Sequence, residues 1–231
     1  MVHSSNKILH DNEFGDIEIR RVNSSYIRLK IQPNGKLIAQ LPRFVSPREI
    51  EKLVNKSREK LRANLSEISS QKTYKNGDKI GKSHTLHLKI GVRDHIELKG
   101  LNVNVIFRKE TSIAQRNQLI KSGVAKALRK EAKAYLPRQL KYLAMQNSFK
   151  YERVRFTHAK SRWGSCSSNG TISLNIMLMT LPNELIDYVL LHELNHLKHM
   201  NHSRDFWEDL EKICPNAKRK RIFLKQFSPY L

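Results

Sequence analysis

The sequence predicts a mixed α+β fold, with a strand-rich amino-terminal part and a helical carboxyl-terminal part. Two observations lead to this prediction. Apolar and polar residues alternate in several stretches of about the first hundred residues, which is the period of a β-strand. From about residue 112 onward, apolar residues recur mainly at helical spacing, apart from a return to strand-like alternation over residues 153–178. We therefore expect a strand-rich domain over residues 1–110 and a helical domain over residues 111–231.

The strands of the amino-terminal part begin with a predicted hairpin. "YIRLKIQPNGKLIAQLP" alternates apolar and polar residues on both sides of Asn34-Gly35. That dipeptide is typical of a two-residue hairpin turn, because both of its residues tolerate positive φ. Two more alternating runs, "HTLHLKIGV" and "LNVNVIF", predict further strands over residues 84–92 and 101–107.

Helices are predicted where capping residues precede apolar residues at helical spacing. In "SPREIEKLVNKSREKL", Ser46 and Glu49 have the spacing of a capping box, and Pro47 occupies the first helical position. A long helical stretch covers residues 112–148. Within it, Pro137 marks the point where we expect a kink or the start of a new helix.

The carboxyl-terminal part adds one predicted hairpin and two predicted helices. Asn169-Gly170 separates two strand-like runs and marks the hairpin turn. The helices are expected over residues 183–200 and 204–213, and Pro215 stops the second one.

The chain is strongly basic, with 43 lysine and arginine residues against 21 aspartate and glutamate residues and a formal net charge of +22. Such a field favours nucleic acid, acidic proteins or anionic surfaces as partners, although a solvated basic surface is the more common explanation. The long helical stretch concentrates part of this charge in Arg116, Lys121, Lys126, Arg129, Lys130, Lys133, Arg138 and Lys141. We therefore keep DNA, or proteins bound to DNA, as a possible partner.

Cysteine content and hydropathy favour a cytoplasmic setting. Cys166 and Cys214 are too few and too far apart in sequence for a disulfide framework. No run of about eighteen apolar residues is present to span a membrane, and the first residues lack the pattern of a secretory signal. We expect a reduced, cytoplasmic environment and no membrane partner.

A histidine-rich segment, "LLHELNHLKHMNHSRDFW", contains the strongest functional signal. His192 and His196 stand four residues apart, so on a helix both imidazoles lie on one face and can reach one cation. Zinc accepts such nitrogens, and a catalytic zinc site leaves one position for water. Glu193 lies beside the pair, where its carboxylate can take a proton from zinc-bound water and deliver it to the leaving amine.

The alternative is that this segment forms the polar face of an ordinary helix and binds no metal. Leucine residues surround the motif, which indicates a largely buried helix. Buried histidine and glutamate side chains need partners, and a metal ion supplies them. The pattern therefore favours a metal site.

Two later histidines, His199 and His202, compete for the third ligand position. On a continuous helix the backbones of His192 and His199 would lie about 10.5 Å apart along the axis, which strains a shared ion. Asn201 tolerates the conformation that ends a helix, and the residue after His202 can cap the next one. We predict that His202 is the third ligand and that His199 is partly exposed or supports the ligands.

Taken with the preceding "KSRWGSCSSNGTISLN", this segment resembles the YgjP-like metallopeptidase family, which is similar to the WLM and SprT-like zinc peptidases. The resemblance implies a zincin-type fold, in which a small sheet packs on the HExxH helix. It also implies that one Zn²⁺ is bound by His192, His196 and His202, and that Glu193 is the general base. Asn195 departs from the alanine usual in such families, and we expect its side chain to face away from the metal.

The spacing of the three histidines also equals that of the metzincins. Those proteins have glycine where this chain has His199, and they add a methionine turn downstream. No methionine follows Met200. The sequence therefore argues against a metzincin.

Four consecutive residues, Arg162, Trp163, Gly164 and Ser165, are candidates for substrate binding. They precede the second hairpin, and zincins commonly pair an extended substrate with an edge strand. The alternative is that Trp163 belongs to the core and Gly164 to a bulge. Cys166, which follows, is interpreted as a small core residue because no base for a cysteine nucleophile is evident.

The leading hypothesis is a zinc-dependent peptidase in which water activated by Glu193 attacks the peptide carbonyl of a protein or peptide substrate. One alternative is a zinc-stabilised, basic nucleic-acid adaptor without hydrolytic activity, against which an intact Glu193 argues. Another is a zinc hydrolase of a non-peptide amide or ester. His158, Arg162 and Tyr188 are the candidates for stabilising the oxyanion.

Overall fold

The computed structural model describes residues 7–32, 36–69 and 73–231. It consists of two compact units, Met1–Lys72 and Thr73–Leu231. Among the described residues, no helix combines the length and the apolarity needed to cross a membrane.

The first unit is a four-stranded sheet with two helices. Its elements are β1 (Lys7–Asp11), β2 (Gly15–Val22), β3 (Arg28–Ile31), β4 (Leu37–Pro42), α1 (Arg48–Lys56) and α2 (Arg58–Ser69). The strand order is β1-β2-β4-β3, with β2 and β4 parallel and the other neighbours antiparallel. Ile17, Leu37, Leu41 and Ile50 are fully buried and form the centre of its core.

The predicted hairpin of the first unit is present. β3 and β4 pair antiparallel, with Ile31 opposite Leu37. The turn assigned to Asn34-Gly35 lies outside the described residues.

The capping box predicted for Ser46 and Glu49 does not form. Helix α1 has Pro47 as its capping residue, so Glu49 stands one position too early to complete the box. Its carboxylate instead accepts a hydrogen bond from Lys52 Nζ at 2.9 Å.

The second unit begins with another four-stranded sheet and one long helix. The elements are β5 (Lys79–Ile80), β6 (His84–Ile90), β7 (His95–Lys99), β8 (Asn102–Phe107) and α3 (Ile113–Gln146). The strand order is β5-β6-β8-β7, with β6 and β8 parallel. Ser112 and Gln115 form a capping box at the start of α3, and the helix continues through Pro137 without a second helix starting there.

This sheet shares its core with α3, and the boundary expected near residue 110 therefore lies inside the second unit. The packing is close at Gly123, where an added Cβ would lie 2.8 Å from a methyl carbon of Val105 and 3.3 Å from one of Val103. A larger residue at position 123 would push the helix away from the sheet. The strands of residues 79–107 thus belong with the helical part of the chain.

The remainder of the second unit is a three-stranded sheet followed by short helices. Its elements are β9 (Arg153–Thr157), β10 (Gly164–Cys166), β11 (Thr171–Asn175), a 3-10 turn (Ile176–Thr180), α4 (Asn183–Asn195), α5 (Arg204–Ile213) and α6 (Ala217–Leu224). The strand order is β10-β11-β9, so β10 is an edge strand. β10 and β11 pair antiparallel across the predicted hairpin turn, in which Gly170 has a positive φ of 73°.

Helix α4 lies in the middle of the second core. Leu185, Ile186, Leu190 and Leu194 on this helix are fully buried, so several of its faces contact other elements. The helix ends at Asn195, five residues before the predicted end at residue 200. Helix α5 has the bounds that the sequence predicted.

Candidate metal centre

Helix α4 and the residue that caps it supply three of the predicted site residues, His192, Glu193 and His196. His192 and His196 are one turn apart, and their ring centroids lie 4.9 Å from each other. His196 is the residue that caps the helix, and its backbone N–H donates to the His192 carbonyl at 3.3 Å. The buried helix therefore holds both imidazoles on the same side.

The chain turns immediately after α4 and returns toward it. His199 N donates to Asn195 O at 3.1 Å and closes the last turn of the helix. Ser203 Oγ accepts from Phe206 N at 3.3 Å and so begins α5. His202 lies between these two capping interactions, which places it beside the α4 histidines.

His192, His196 and His202 converge on one point. One ring nitrogen of each residue lies within 4.8 Å of the others, and the Nε2 atoms of His192 and His202 are 3.0 Å apart. The ring centroid of His202 is 4.9 Å from that of His192 and 4.7 Å from that of His196. Two ligands of a tetrahedral zinc ion have nitrogens about 3.3 Å apart, so this spacing has the scale of a metal site.

His199 lies outside this group and contacts it through its backbone. Its Nε2 pairs with Asp209 Oδ2 at 2.8 Å, and the side chain is 23% exposed. Its carbonyl oxygen is 2.9 Å from His196 Nδ1. Because a carbonyl only accepts, His196 Nδ1 carries the proton, which leaves the Nε2 lone pair of His196 free to bind a cation.

Asn195 points away from the three histidines. It is fully buried, and its Nδ2 donates to Phe206 O at 2.9 Å. The ring of Phe206 packs against the other side of the cluster, 4.9 Å from the His192 ring and 4.8 Å from each of the other two rings. The side chain that departs from the family pattern thus connects α4 to α5.

Glu193 is buried beside the cluster and is 5% exposed. Strand β10 passes directly over it, because a Cβ added to Gly164 would lie 2.7 Å from both Cγ and Oε1 of Glu193. Only glycine allows this approach. Glu193 Oε2 has no hydrogen-bond partner among the described residues.

Burial dominates the proton affinities in the site. It raises the pKa of Glu193 to about 8, although the positive charge of Arg162 acts in the opposite direction. It lowers the pKa of His192 to about 3, and the neighbouring charges of His196, His202 and Arg221 add to that effect. Burial likewise lowers the pKa of His202. The imidazoles of His192 and His202 are therefore uncharged at neutral pH, as metal ligands must be.

The four residues predicted to bind substrate lie at and just before the edge strand. Gly164 and Ser165 form the first part of β10, and Arg162 is exposed. Trp163 is partly buried against the core, and its carbonyl accepts from Asn175 N at 2.9 Å. Burial, with the charge of Glu193, raises the pKa of the Cys166 thiol to about 11, which keeps it protonated.

The candidates for oxyanion stabilisation differ in position. Tyr188 is buried with its ring 5.9 Å from the His192 ring, and burial raises its pKa to about 12. His158 instead stacks on Tyr230 at 5.6 Å.

Sequence reasoning did not place Arg221 near the candidate metal site. Its guanidinium lies 5.0 Å from the centre of the Trp207 ring, which in turn stacks on His202. The only sequence signal for it is the basic stretch "AKRKRIFLKQF".

Comparisons with known proteins identify a family for this chain. The sequence profile of the YgjP-like, metallopeptidase domain family matches residues 25–227. A solved structure, the metallopeptidase zymogen abylysin of Pyrococcus abyssi, is 28% identical over 39% of this chain and 93% of that chain, with a TM-score of 0.36. A comparison with curated proteins gives no match. Because the profile spans most of the sequence, including all three histidines and Glu193, the chain belongs to the YgjP-like metallopeptidase domain family.

Proposed function

We propose that the chain is a zinc-dependent peptidase whose reaction takes place between α4 and the edge strand β10. One observation carries this proposal: three imidazole nitrogens converge beside the buried carboxyl group of Glu193, whose Oε2 has no hydrogen-bond partner in the described part of the chain. In this proposal His192, His196 and His202 hold one Zn²⁺, and Glu193 is the general base. The fold around it is zincin-like, with the β10-β11-β9 sheet against the HExxH helix.

The side chains fit zinc in number, type and protonation. Three neutral nitrogen donors and one open position are the usual composition of a catalytic zinc site, whereas a structural site is closed by a fourth protein ligand. The His199 carbonyl holds His196 in the tautomer that a ligand requires. The buried Nδ1 of His192 has no hydrogen-bond partner among the described residues. The Nε2 atom of His192 is the nitrogen that faces His202.

When bound, zinc would polarise the substrate carbonyl and lower the pKa of water. Glu193 supplies the proton transfers. Its carboxylate accepts a proton from the attacking water, whose oxygen forms the new bond to the carbonyl carbon. It then returns that proton to the amide nitrogen as the C–N bond breaks, which leaves a carboxylic acid and an amine. The acid passes its remaining proton to the amine, so the products leave as a carboxylate and an ammonium group.

Burial favours Glu193 for this role. With a pKa of about 8, the Glu193 carboxyl group is mostly protonated at neutral pH when no cation is near it, and the charge of a bound zinc ion would favour the ionised form. Once ionised, a shielded carboxylate is a stronger base than an exposed one. Gly164 keeps β10 in van der Waals contact with the carboxylate and helps to exclude solvent.

The free edge of β10 is the proposed substrate platform. In the described part of the chain, its main-chain groups pair with β11 on one side only. An extended peptide can pair with the other side, and residues 162–165 would then contact it directly.

Two other functions fit the site less well. A nucleic-acid adaptor stabilised by zinc has no use for a buried carboxylate next to an open coordination position. A zinc hydrolase of a non-peptide amide or ester would use the same groups, but it leaves the free strand edge without a role.

Substitution of Glu193 by glutamine tests the proposal. The amide has nearly the same shape but accepts no proton, and loss of a general base costs about 10²–10⁴-fold in rate. Wild type loaded with zinc should cleave an unfolded protein such as casein, and Glu193→Gln should bind zinc without comparable cleavage. Equal cleavage by the two proteins would exclude the proposed role of Glu193.

A further inference from the structure

The outer face of the β10-β11-β9 sheet carries a basic pocket of about 410 Å³. Three arginines, Arg153, Arg155 and Arg162, line it together with small polar side chains that include Ser165 and Ser173. None of the described residues that line it is acidic. The pocket therefore gathers positive charge and hydroxyl groups in one place.

The strand register connects this pocket to the candidate metal centre. Arg155 stands opposite Ser173, and Ser173 stands opposite Ser165, so one row of side chains crosses the sheet from β9 to the edge strand. Neighbouring residues on a strand point to opposite faces. Gly164 meets Glu193 on one face, and Ser165 lines the pocket on the other.

The arginines of the pocket form no ion pair with any acidic residue that the structure describes. Arg155 and Arg162 form no ion pair with any described residue, and Arg153 Nε donates to the hydroxyl of Thr171 at 3.0 Å. Like charges held close together repel one another, and an anion between them relieves the repulsion. Arg162 is also close enough to Glu193 for its charge to act on that carboxyl.

We propose that this pocket binds an acidic side chain of the peptide substrate and makes the enzyme prefer substrates with aspartate or glutamate at that position. The inference rests on the proposed function. A peptide paired with the free edge of β10 sends alternate side chains to the two faces of the sheet. Those on one face approach Glu193 and the histidines, and those on the other approach the pocket.

The ligand is a peptide side chain and not a nucleic acid for two reasons. The pocket adjoins a free strand edge, which offers main-chain hydrogen bonds to a peptide. Its lining contains no aromatic ring on which a base could stack. Arginine and serine side chains bind a carboxylate through several charge-assisted hydrogen bonds. A glutamine side chain of the substrate carries no charge and would form weaker hydrogen bonds with the same residues.

Two fluorogenic peptides that differ only by glutamate or glutamine at one position measure the preference. A scan of that position along the peptide finds the register. Wild type should cleave the best glutamate peptide about 10- to 100-fold more efficiently, in kcat/KM, than its glutamine partner, as expected for charge-assisted hydrogen bonds. The ratio should fall toward one in Arg155→Gln and in Arg162→Gln, and it should stay at the wild-type value in Arg138→Gln, which removes an exposed arginine of α3.

Binding of the same peptides to Glu193→Gln, measured by fluorescence anisotropy, separates this inference from the proposed function. Preferential binding of the glutamate peptide that is lost in the Arg155→Gln background supports the pocket even if wild type cleaves nothing. Equal binding of both peptides, or an equal preference with and without Arg155, overturns it. The proposal is also overturned if the protein binds a single-stranded oligonucleotide through Arg155 and shows no preference between the two peptides. That result would assign the pocket to nucleic acid.

Discussion

At the scale of single residues, His199 and His202 show that two histidines close together in sequence can have different roles. Both follow the HExxH pair closely in sequence. The turn after Asn195 brings His202 back beside His192 and His196, whereas the side chain of His199 pairs with Asp209. The His199 contribution to the site is its carbonyl oxygen, which any residue at that position would supply.

His202→Ala should lower the affinity for zinc by more than about 100-fold, because loss of a ligand costs more than loss of a supporting contact. His199→Ala should change that affinity by less than about tenfold, since the carbonyl that orients His196 stays. Metal content after dialysis against a weak chelator distinguishes the two variants. Retention of zinc by His202→Ala with loss from His199→Ala would reverse the assignment.

Gly164 is the second residue whose identity matters to the site. An alanine methyl group there would collide with Cγ and Oε1 of Glu193 at 2.7 Å, so the carboxylate would have to move. A displacement of about 1 Å can cost about 100-fold in rate. We expect Gly164→Ala to lose activity to this extent while binding zinc normally, as shown by kcat/KM and metal content measured together. Full activity would mean that the Glu193 position is not critical.

At the scale of elements, capping interactions decide where the site forms. Apolar spacing in the sequence continues past Asn195 to Leu197, and it therefore predicts a helix to residue 200. The structure ends α4 earlier, because the buried Asn195 side chain bonds to Phe206 O of α5 and the intervening residues must turn. The four-residue spacing predicts that His192 and His196 lie on one face of a helix. It gives no information on the hydrogen bond between Asn195 and Phe206, which are distant in sequence.

A second element junction joins β6 to α3 through buried Glu131. Its carboxylate accepts from Lys82 N at 2.7 Å, from Ser83 N at 2.9 Å and from His84 Nδ1 at 2.7 Å. Gly81 permits this approach, because it has a φ of 61° and an added Cβ would lie 2.0 Å from Glu131 Oε2. Burial alone would raise the pKa of Glu131, but these hydrogen bonds outweigh it and the pKa lies below its ordinary value of 4.5.

This junction makes stability depend on pH. Since the folded-state pKa of Glu131 is lowered, its contribution is complete above the ordinary value of 4.5 and is lost as pH falls through the folded-state pKa. Glu131→Gln places an amide N–H₂ against a backbone donor, and we expect a loss of about 2 kcal/mol in the free energy of unfolding at pH 7.

Urea unfolding at pH 7 and at pH 3 measures the effect. The difference between wild type and Glu131→Gln should shrink at the lower pH, whereas the exposed control Glu110→Gln should differ little from wild type at either pH. A difference that is the same at both pH values would show that the Glu131 charge contributes nothing.

At the scale of the whole molecule, the mixed α+β class and the grouping of His192, His196 and His202 were predictable, and the division into units was not. The strand-like and helical periods change near residue 110, which suggested a boundary there. Which sheet packs on which helix depends on contacts between distant residues, such as Val105 with Gly123. Sequence periodicity predicts the type of each element and which of its faces is buried. It does not predict which other element packs against that face.

The basic pocket and Arg221 were hidden for the same reason. The sequence shows many lysines and arginines, and nothing in it separates those that meet near a site from those on the solvated surface. Strand register brings Arg155 and Ser165 onto one face, and packing of Trp207 brings Arg221 toward His202. These placements are properties of the folded chain.

The proposed function requires that one zinc ion, held by His192, His196 and His202, supports peptide hydrolysis by this chain. Titration of the zinc-free protein with zinc, with peptide cleavage followed at each step, tests it most directly. We expect activity to rise in proportion to zinc and to reach its maximum at one equivalent per chain. Full cleavage by the zinc-free protein, or no cleavage of any peptide after one equivalent has bound, would contradict it.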